Sequence, residues 1–187
     1  MFKKLAIAML LTMLLVAGCD WDYPLSAPEK GKRDEALVGF WRLKTANDNC
    51  ILSFTQAEKL PEDARNFDEF DASHLQHVLI SNFTDLNYPY QPGSEPDLCW
   101  AWTTVIDGVN YLNLQYREEP TAAKDQSVSI VKYRVEGEKL HWWKLSEKAM
   151  ERIDKKLGQE YTATDLRGEI LSAGEADWEK TALTRVR

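Results

Sequence analysis

Two histidines, His74 and His77, have a spacing that could bind a metal. On a helix, residues three positions apart share a face, and two imidazoles placed in this way can bind zinc. The surrounding residues are instead typical of a strand centred on Val78-Leu79-Ile80, where His74 and His77 would point to opposite faces. The third histidine, His141, is distant in sequence. We therefore expect no metal site.

Residues for nucleophilic or acid–base catalysis are equally sparse. The chain has no Gly-x-Ser-x-Gly elbow that would expose a serine beside an oxyanion hole. Its adjacent carboxylates lie in loop-like stretches and are most simply solvated surface charges. They are Glu62/Asp63, Asp68/Glu69 and Glu118/Glu119. The sequence predicts no catalytic residue and no cofactor. A hydrolase acting on envelope polymers is kept as a hypothesis that requires a cleft with opposed carboxylates.

The first 18 residues are typical of a secretion signal. Lys3 and Lys4 form a basic start, and a 14-residue run from Leu5 to Gly18, interrupted only by Thr12, is apolar or small. A membrane-spanning helix needs about 20 apolar residues, so this run is too short to span and fits a signal peptide.

The end of that run, Leu15-Val16-Ala17-Gly18-Cys19, resembles the lipobox of bacterial lipoproteins. The resemblance implies cleavage before Cys19 and acylation of its thiol, with several acyl chains that hold the protein durably on a membrane. It places the mature chain in the cell envelope, facing the periplasm. Asp20 resembles an inner-membrane retention signal of enteric bacteria, but the choice between inner and outer membrane stays open.

The charge of the chain argues against two kinds of partner. The full sequence carries a net charge of −7, and removal of Lys3 and Lys4 with the signal gives −7 − 2 = −9. Nucleic acid and flat adsorption to anionic lipid both require basic patches. We therefore expect no nucleic-acid partner, and a membrane partner only through the lipid anchor.

Cys50 and Cys99 are the two thiols left after lipidation. The envelope permits disulfides, and neither residue belongs to a C-x-x-C motif that would indicate redox or metal chemistry. The sequence predicts a structural disulfide between them. Closing a loop of about 50 residues would stabilise the fold by about 4 kcal/mol.

Three parts of the chain follow from composition: a signal peptide at 1–18, a lipid-anchored tether at 19–33 and a single β-rich domain at 34–187. The tether contains two prolines, a glycine and mixed charges without periodicity. Extended, its last 14 residues would reach about 45 Å and let the domain stand clear of the membrane.

The domain has a pattern of short strands with one helical insertion. Leu98, Trp100, Trp102, Thr104 and Ile106 alternate along one strand, and Asp107-Gly108 indicates a two-residue hairpin. Ser146–Leu157 and Thr162–Leu171 have helical patterns before a final strand at 181–187. We predict seven to nine antiparallel strands forming a barrel or a sandwich, with a short helical insertion before the last strand.

Gly39 and Trp41 in the first strand, with Arg185 or Arg187 in the last, resemble the lipocalin-type barrel. In that family a Gly-x-Trp opens the barrel, and a basic residue from the end of the chain stacks on the Trp to close the bottom. Guanidinium over indole is a favourable cation–π contact. The Asn82–Leu86 segment and the helical insertion depart from the family pattern, and the resemblance implies a fold without a function.

Aromatic side chains are the best indication of a binding site. The chain has seven Trp and seven Tyr. If they line a barrel interior, Trp100, Trp102, Tyr111 and Tyr133 would contact a small apolar ligand or lipid. If they face outward, they could bind an envelope protein. The third possibility is that they simply fill the core. The sequence thus leaves two main hypotheses, a ligand-binding module and an accessory protein without a small ligand.

Overall fold

The computed structural model describes residues 21–44, 49–56, 75–83, 97–115 and 128–186. These contain eight strands and two α-helices. The strands are β1 (Gly39–Lys44), β2 (Asn49–Gln56), β3 (Gln76–Phe83), β4 (Asp97–Ile106), β5 (Val109–Gln115), β6 (Val128–Glu136), β7 (Lys139–Leu145) and β8 (Trp178–Val186). The helices are α1 (Glu147–Leu157) and α2 (Ala163–Ser172).

The strands form one closed antiparallel barrel in sequence order, β1 to β8, with β8 returning to β1. Closure comes from three register pairs, of which Trp41 opposite Arg185 is the central one. The predicted antiparallel barrel with a helical insertion before the last strand is confirmed, and the sandwich alternative is excluded by the β8–β1 pairing.

Two ends of the barrel differ. At the turn end, tight turns join β4 to β5 at Asp107-Gly108 and β6 to β7 at Gly137-Glu138, and both residues of the predicted hairpin have positive φ, 51° and 78°. At the opposite end, here called the loop end, β7 leads into α1 through Ser146, whose hydroxyl caps the helix by accepting from the amide of Ala149.

Apolar residues are buried on both sides of the barrel wall. The inner cluster draws on all eight strands. It contains Trp41, Leu43, Cys50, Leu52, Phe54, Val78, Cys99, Ala101, Leu112, Leu114, Val131, Tyr133, Leu140, Trp142 and Leu183. The outer cluster joins β4–β8 to the two helices and the start of the described chain, and includes Trp21, Leu25, Tyr111, Ile153, Leu166 and Trp178.

The predicted tether at 19–33 is wrong for its described part. Trp21–Lys32, here called the strap, lies across the outer face of β4–β6. Its two ends pair with the sheet: Trp21 exchanges both backbone hydrogen bonds with Val128 at 2.9 Å, and Lys32 does so with Thr103 at 3.0 and 2.8 Å. Proline and glycine content is typical of a linker, but pairing at both ends holds this segment on the barrel wall.

Side-chain contacts hold the middle of the strap. The amide of Leu25 donates to Oδ1 of Asn113 at 2.8 Å, and the indole of Trp102 donates to the carbonyl of Ser26 at 2.9 Å. Gly31 lies so close to Trp102 that an added Cβ would sit 2.3 Å from ring atom Cδ1. A larger residue there would have to displace the strap from the wall.

The structure does not bring Cys50 and Cys99 together, and the predicted disulfide is corrected on this geometry. Both are buried in the barrel interior, but Cys50 is in β2 and Cys99 in β4, with β3 between them. Their partners on β3 are Asn82 and Val78, four residues apart. Two strand spacings alone amount to about 9.5 Å, more than the 7 Å or so that a disulfide can bridge between Cα atoms.

The structure does bring together the three residues that the lipocalin resemblance implied at the bottom of the barrel. The guanidinium carbon of Arg185 lies 4.2 Å from the centre of the fully buried Trp41 ring. Arg185 also donates to the carbonyls of Val38 and Ala36, at 2.9 and 2.7 Å. Gly39, with φ of +125°, lets the backbone pass beneath this guanidinium.

Replacing Arg185 with Ala should lower the free energy of unfolding by about 2 kcal/mol, because it removes a cation–π contact and two charge-assisted hydrogen bonds. Denaturant unfolding followed by Trp fluorescence would measure this. Arg134→Ala is the control, since Arg134 forms an exposed ion pair with Glu136 and should change stability by less than about 0.5 kcal/mol. Equal losses in the two variants would contradict a closing role for Arg185.

Candidate functional site

Alternation along the strands decides which predicted ligand residues face the barrel interior. On β4 the inward positions are Cys99, Ala101 and Thr103, so Trp100 and Trp102 face outward. Tyr111 also faces outward and packs against Trp178, with ring centres 6.3 Å apart. Of the four residues, Tyr133 alone points inward. The predicted set therefore does not line one cavity.

Outward-facing aromatics are buried because other parts of the chain cover them. Trp102 is fully buried beneath the strap, and Tyr111 lies in the outer cluster with the helices. Trp100 shares the outward face of Trp102 and is 3% exposed. Burial raises the pKa of Tyr111, with the nearby charge of Asp107 adding to the effect. For these residues the core-filling interpretation is the one that fits.

Tyr133 belongs to a hydrogen-bond network at the turn end of the interior. Its hydroxyl donates to Oδ2 of Asp34 and lies 2.7 Å from Oγ1 of the buried Thr103. The side-chain amide of Gln76, also fully buried, donates to the carbonyl of Asp34 at 3.1 Å. These bonds fix the chain just before β1 across the bottom of the barrel.

On β7 and β8 the inward positions become more polar and more exposed toward the loop end. Along β8 the inward positions change from buried Leu183 to half-buried Thr181 and then Glu179, whose side chain is 54% exposed. On β7 the inward series is Leu140, Trp142 and Lys144. Lys144 Nζ lies 3.5 Å from a carboxylate oxygen of Glu179, so an ion pair lies at the mouth of the barrel.

Trp142 is the most unusual residue of this region. Its side chain is buried in the interior, and its indole Nε1–H has no hydrogen-bond acceptor among the described residues. Leaving a buried donor unsatisfied costs about 1–3 kcal/mol, so such a group requires a physical explanation. We take Trp142, Lys144, Thr181 and Glu179 as the candidate site.

Sequence reasoning missed this site although one signal was present. In Lys139–Leu145 strand alternation separates Trp142 from Trp143 and places Trp142 on the same face as Lys144. A lysine beside a tryptophan on one strand face would be unusual in a solid apolar core, and this contrast could have selected β7. The prediction instead selected the aromatic residues of β4, Trp100 and Trp102.

Only some of the residues considered for metal binding or lipidation lie in the described part of the chain. His74 and Cys19 lie outside the described residues, and His77 lies in β3. His141 faces outward, with Nε2 at 2.9 Å from Oε2 of Glu136. Over the described ranges no three His, Cys, Asp or Glu side chains are placed to hold a metal ion. None of the helices in the described part is long and apolar enough to cross a bilayer.

Comparison of the chain with known protein families, with characterised proteins and with solved structures finds no match.

Tyr133 should make the fold sensitive to alkaline pH. Burial, reinforced by Asp34, raises the pKa of Tyr133 far above its usual value of 10, while Thr103 opposes the shift. Stability should therefore be fully present below pH 10 and fall as the pH rises further, because the unfolded phenol ionises and the folded one stays neutral. Tyr133→Phe should flatten this alkaline decline in denaturant titrations between pH 8 and 11.

Tyr23→Phe is the matched control, because Tyr23 packs half-buried on the outside against Tyr161. That variant should keep the alkaline decline of the parent protein. An unchanged decline in Tyr133→Phe would show that other groups control alkaline stability.

Proposed function

We propose that this protein is a lipoprotein of the cell envelope, anchored through acylated Cys19, whose barrel binds a small amphipathic ligand at the loop end. The anchor is supported by the basic start, the short apolar run and the Leu15–Cys19 motif. The ligand site is supported by the barrel fold and above all by the buried indole N–H of Trp142, which lacks an acceptor among the described residues.

The chemistry of the site indicates the ligand class. Nε1 of Trp142 can only donate a hydrogen bond, and Lys144 adds a positive charge nearer to the mouth. The indole N–H favours a ligand whose polar group is an acceptor, such as a carboxylate, and this group could replace Glu179 as the partner of Lys144. The inner cluster to which Trp142 belongs also contains Leu43, Cys50 and Val131, and these apolar side chains suit an aliphatic body.

Packing of the interior limits the size of that ligand. The lower half of the barrel is filled by Trp41, Phe54, Leu112, Leu140 and Leu183, each at most 1% exposed. The ligand would therefore lie beside β7 and β8 at the loop end, where Thr181 and Glu179 are partly exposed. A single acyl chain or a molecule of similar width fits this description better than a broad ring system.

The alternative is an accessory protein that works through contacts with another envelope protein. One observation favours it: Phe40, on the outer face of β1 and opposite Val186 of β8, is 55% exposed. Exposed aromatic side chains are enriched at binding hot spots. This alternative needs no ligand inside the barrel, so the ligand experiment below separates it from the main proposal.

The anchor is tested by the intact mass of the mature protein purified from membranes. We expect cleavage before Cys19 and an added mass of acyl chains, with Cys19→Ala protein recovered in the soluble fraction. Cys50→Ala is the control, because it removes a buried thiol of the barrel and should leave the anchor intact. An unmodified mature start in the parent protein would refute the proposal.

Dodecanoate is a suitable first probe of the ligand site, measured by calorimetry below its micellar concentration. Trp142→Phe should weaken its binding five- to tenfold, since one hydrogen bond is worth about 1 kcal/mol. Trp143→Phe, on the outward face of the same strand, should leave binding unchanged. Dodecyltrimethylammonium, which has the same chain but no acceptor, should bind the parent protein more weakly than dodecanoate does.

Binding of both probes with equal affinity would contradict the role of Trp142 and Lys144. Failure of both probes to bind a folded parent protein would favour the accessory-protein alternative.

A further inference from the structure

We infer that the strap holds the lipid anchor against the wall of the barrel, so that the domain docks directly on the bilayer with the turn between α1 and α2 at headgroup level. The inference rests on the proposed acylation of Cys19. It concerns the partner surface of the domain and is independent of any ligand in the barrel.

The reach of the anchor follows from where the chain is fastened. Cys19 precedes Trp21 by two residues, and two residues span at most about 7 Å. Trp21 is 3% exposed and forms two backbone hydrogen bonds with Val128. Acyl chains on Cys19 would therefore enter the membrane within a few ångströms of the barrel, whereas a free 14-residue tether would allow about 45 Å.

The residues that follow Trp21 contact the turn between the two helices. The amide of Asp22 donates to the hydroxyl of Tyr161 at 3.1 Å. The rings of Tyr23 and Tyr161 meet edge to face with centres 5.7 Å apart, and both residues are half-buried. Tyr161 lies directly before Thr162, the cap of α2, so the residues that join α1 to α2 lie beside the start of the strap.

The composition of this turn suits a headgroup layer. Two half-buried tyrosines present amphipathic rings of the kind that are enriched at membrane interfaces. The end of α1 and the turn that follows it, residues 154–162, contain two acidic and two basic side chains, so together they have no net charge to repel anionic lipid. Attraction to lipid is thus not required of the turn, because the anchor itself supplies the membrane affinity.

The docked orientation places another surface far from lipid. Phe40 lies at the turn end, on β1, and is separated from β6 by β7 and β8 around the barrel. The length of β6 from Val128 to Glu136 is about 26 Å, which is the approximate separation of the two ends. A probe at Phe40 should therefore remain in water when a probe in the α1–α2 turn meets the headgroups.

The test uses acylated full-length protein in phosphatidylcholine vesicles that contain a headgroup-labelled quencher lipid. A fluorophore is attached to a cysteine introduced at Gln159, in the turn, or at Phe40. Native Cys50 and Cys99 are buried, which protects them from the label, and the thiol of Cys19 carries the acyl group. We expect at least threefold stronger quenching at Gln159→Cys than at Phe40→Cys.

Loosening the anchored end of the strap should abolish this difference. Trp21→Pro removes the backbone N–H that donates to Val128 and the buried indole, and should lower quenching at position 159 toward the value at position 40. Lys32→Pro is the matched control, because it removes the corresponding N–H that donates to Thr103 at the far end of the strap, and it should keep the difference. If Trp21→Pro does not fold, the comparison of positions 159 and 40 in the parent strap still decides the question.

Failure of the docking and failure of the anchor give different results. Equal quenching at the two positions in protein whose intact mass shows acylation would overturn the docked orientation and leave the anchor standing. An unmodified mature start in the same sample would overturn the anchor, and the docking with it.

Discussion

The middle of the sheet is apolar on both faces, and both faces have to be removed from water. On β4 the inward Cys99 and Ala101 and the outward Trp102 and Ile106 are all buried. Closing the barrel covers only the inward set. The outward set is covered by the strap and by the two helices, so these parts contribute to the wall of the barrel as directly as the strands do.

This double burial explains which parts of the fold the sequence could predict. Strand periodicity, the Asp107-Gly108 turn and the capped helices are local signals, and each was predicted close to its observed position. The Gly39–Trp41 pair with Arg185 added a long-range contact because a family pattern links them. Alternation shows which residues share a face. It does not show which face is inside when both are apolar, so the sequence left open whether the aromatic run of β4 lines the interior, faces outward or fills the core.

Two errors have a common cause in register. The disulfide between Cys50 and Cys99 was inferred from compartment and number, but the β2–β3–β4 pairing sets the thiols two strands apart. The lack of periodicity in the strap predicts a linker, whereas its order comes from pairing at its two ends with strands distant in sequence. Neither pairing leaves a local signature. The candidate site also depends on strand pairing, because Trp142 lies opposite Thr181 and Lys144 lies opposite Glu179 only in the β7–β8 register.

A linker does not need to be ordered, so the order of the strap requires a physical explanation. Fixing a backbone residue costs about 1–2 kcal/mol of conformational entropy, and this cost is repeated along Trp21–Lys32. Burial of Trp21 and Leu25 and pairing at both ends offset part of it. Pro24 and Pro28, both buried, reduce it further because their φ angles are already restricted in the unfolded chain. A segment that served only as a spacer would need fewer apolar residues than the strap contains. The composition of the strap is therefore that of a structural element of the barrel that also carries the proposed anchor.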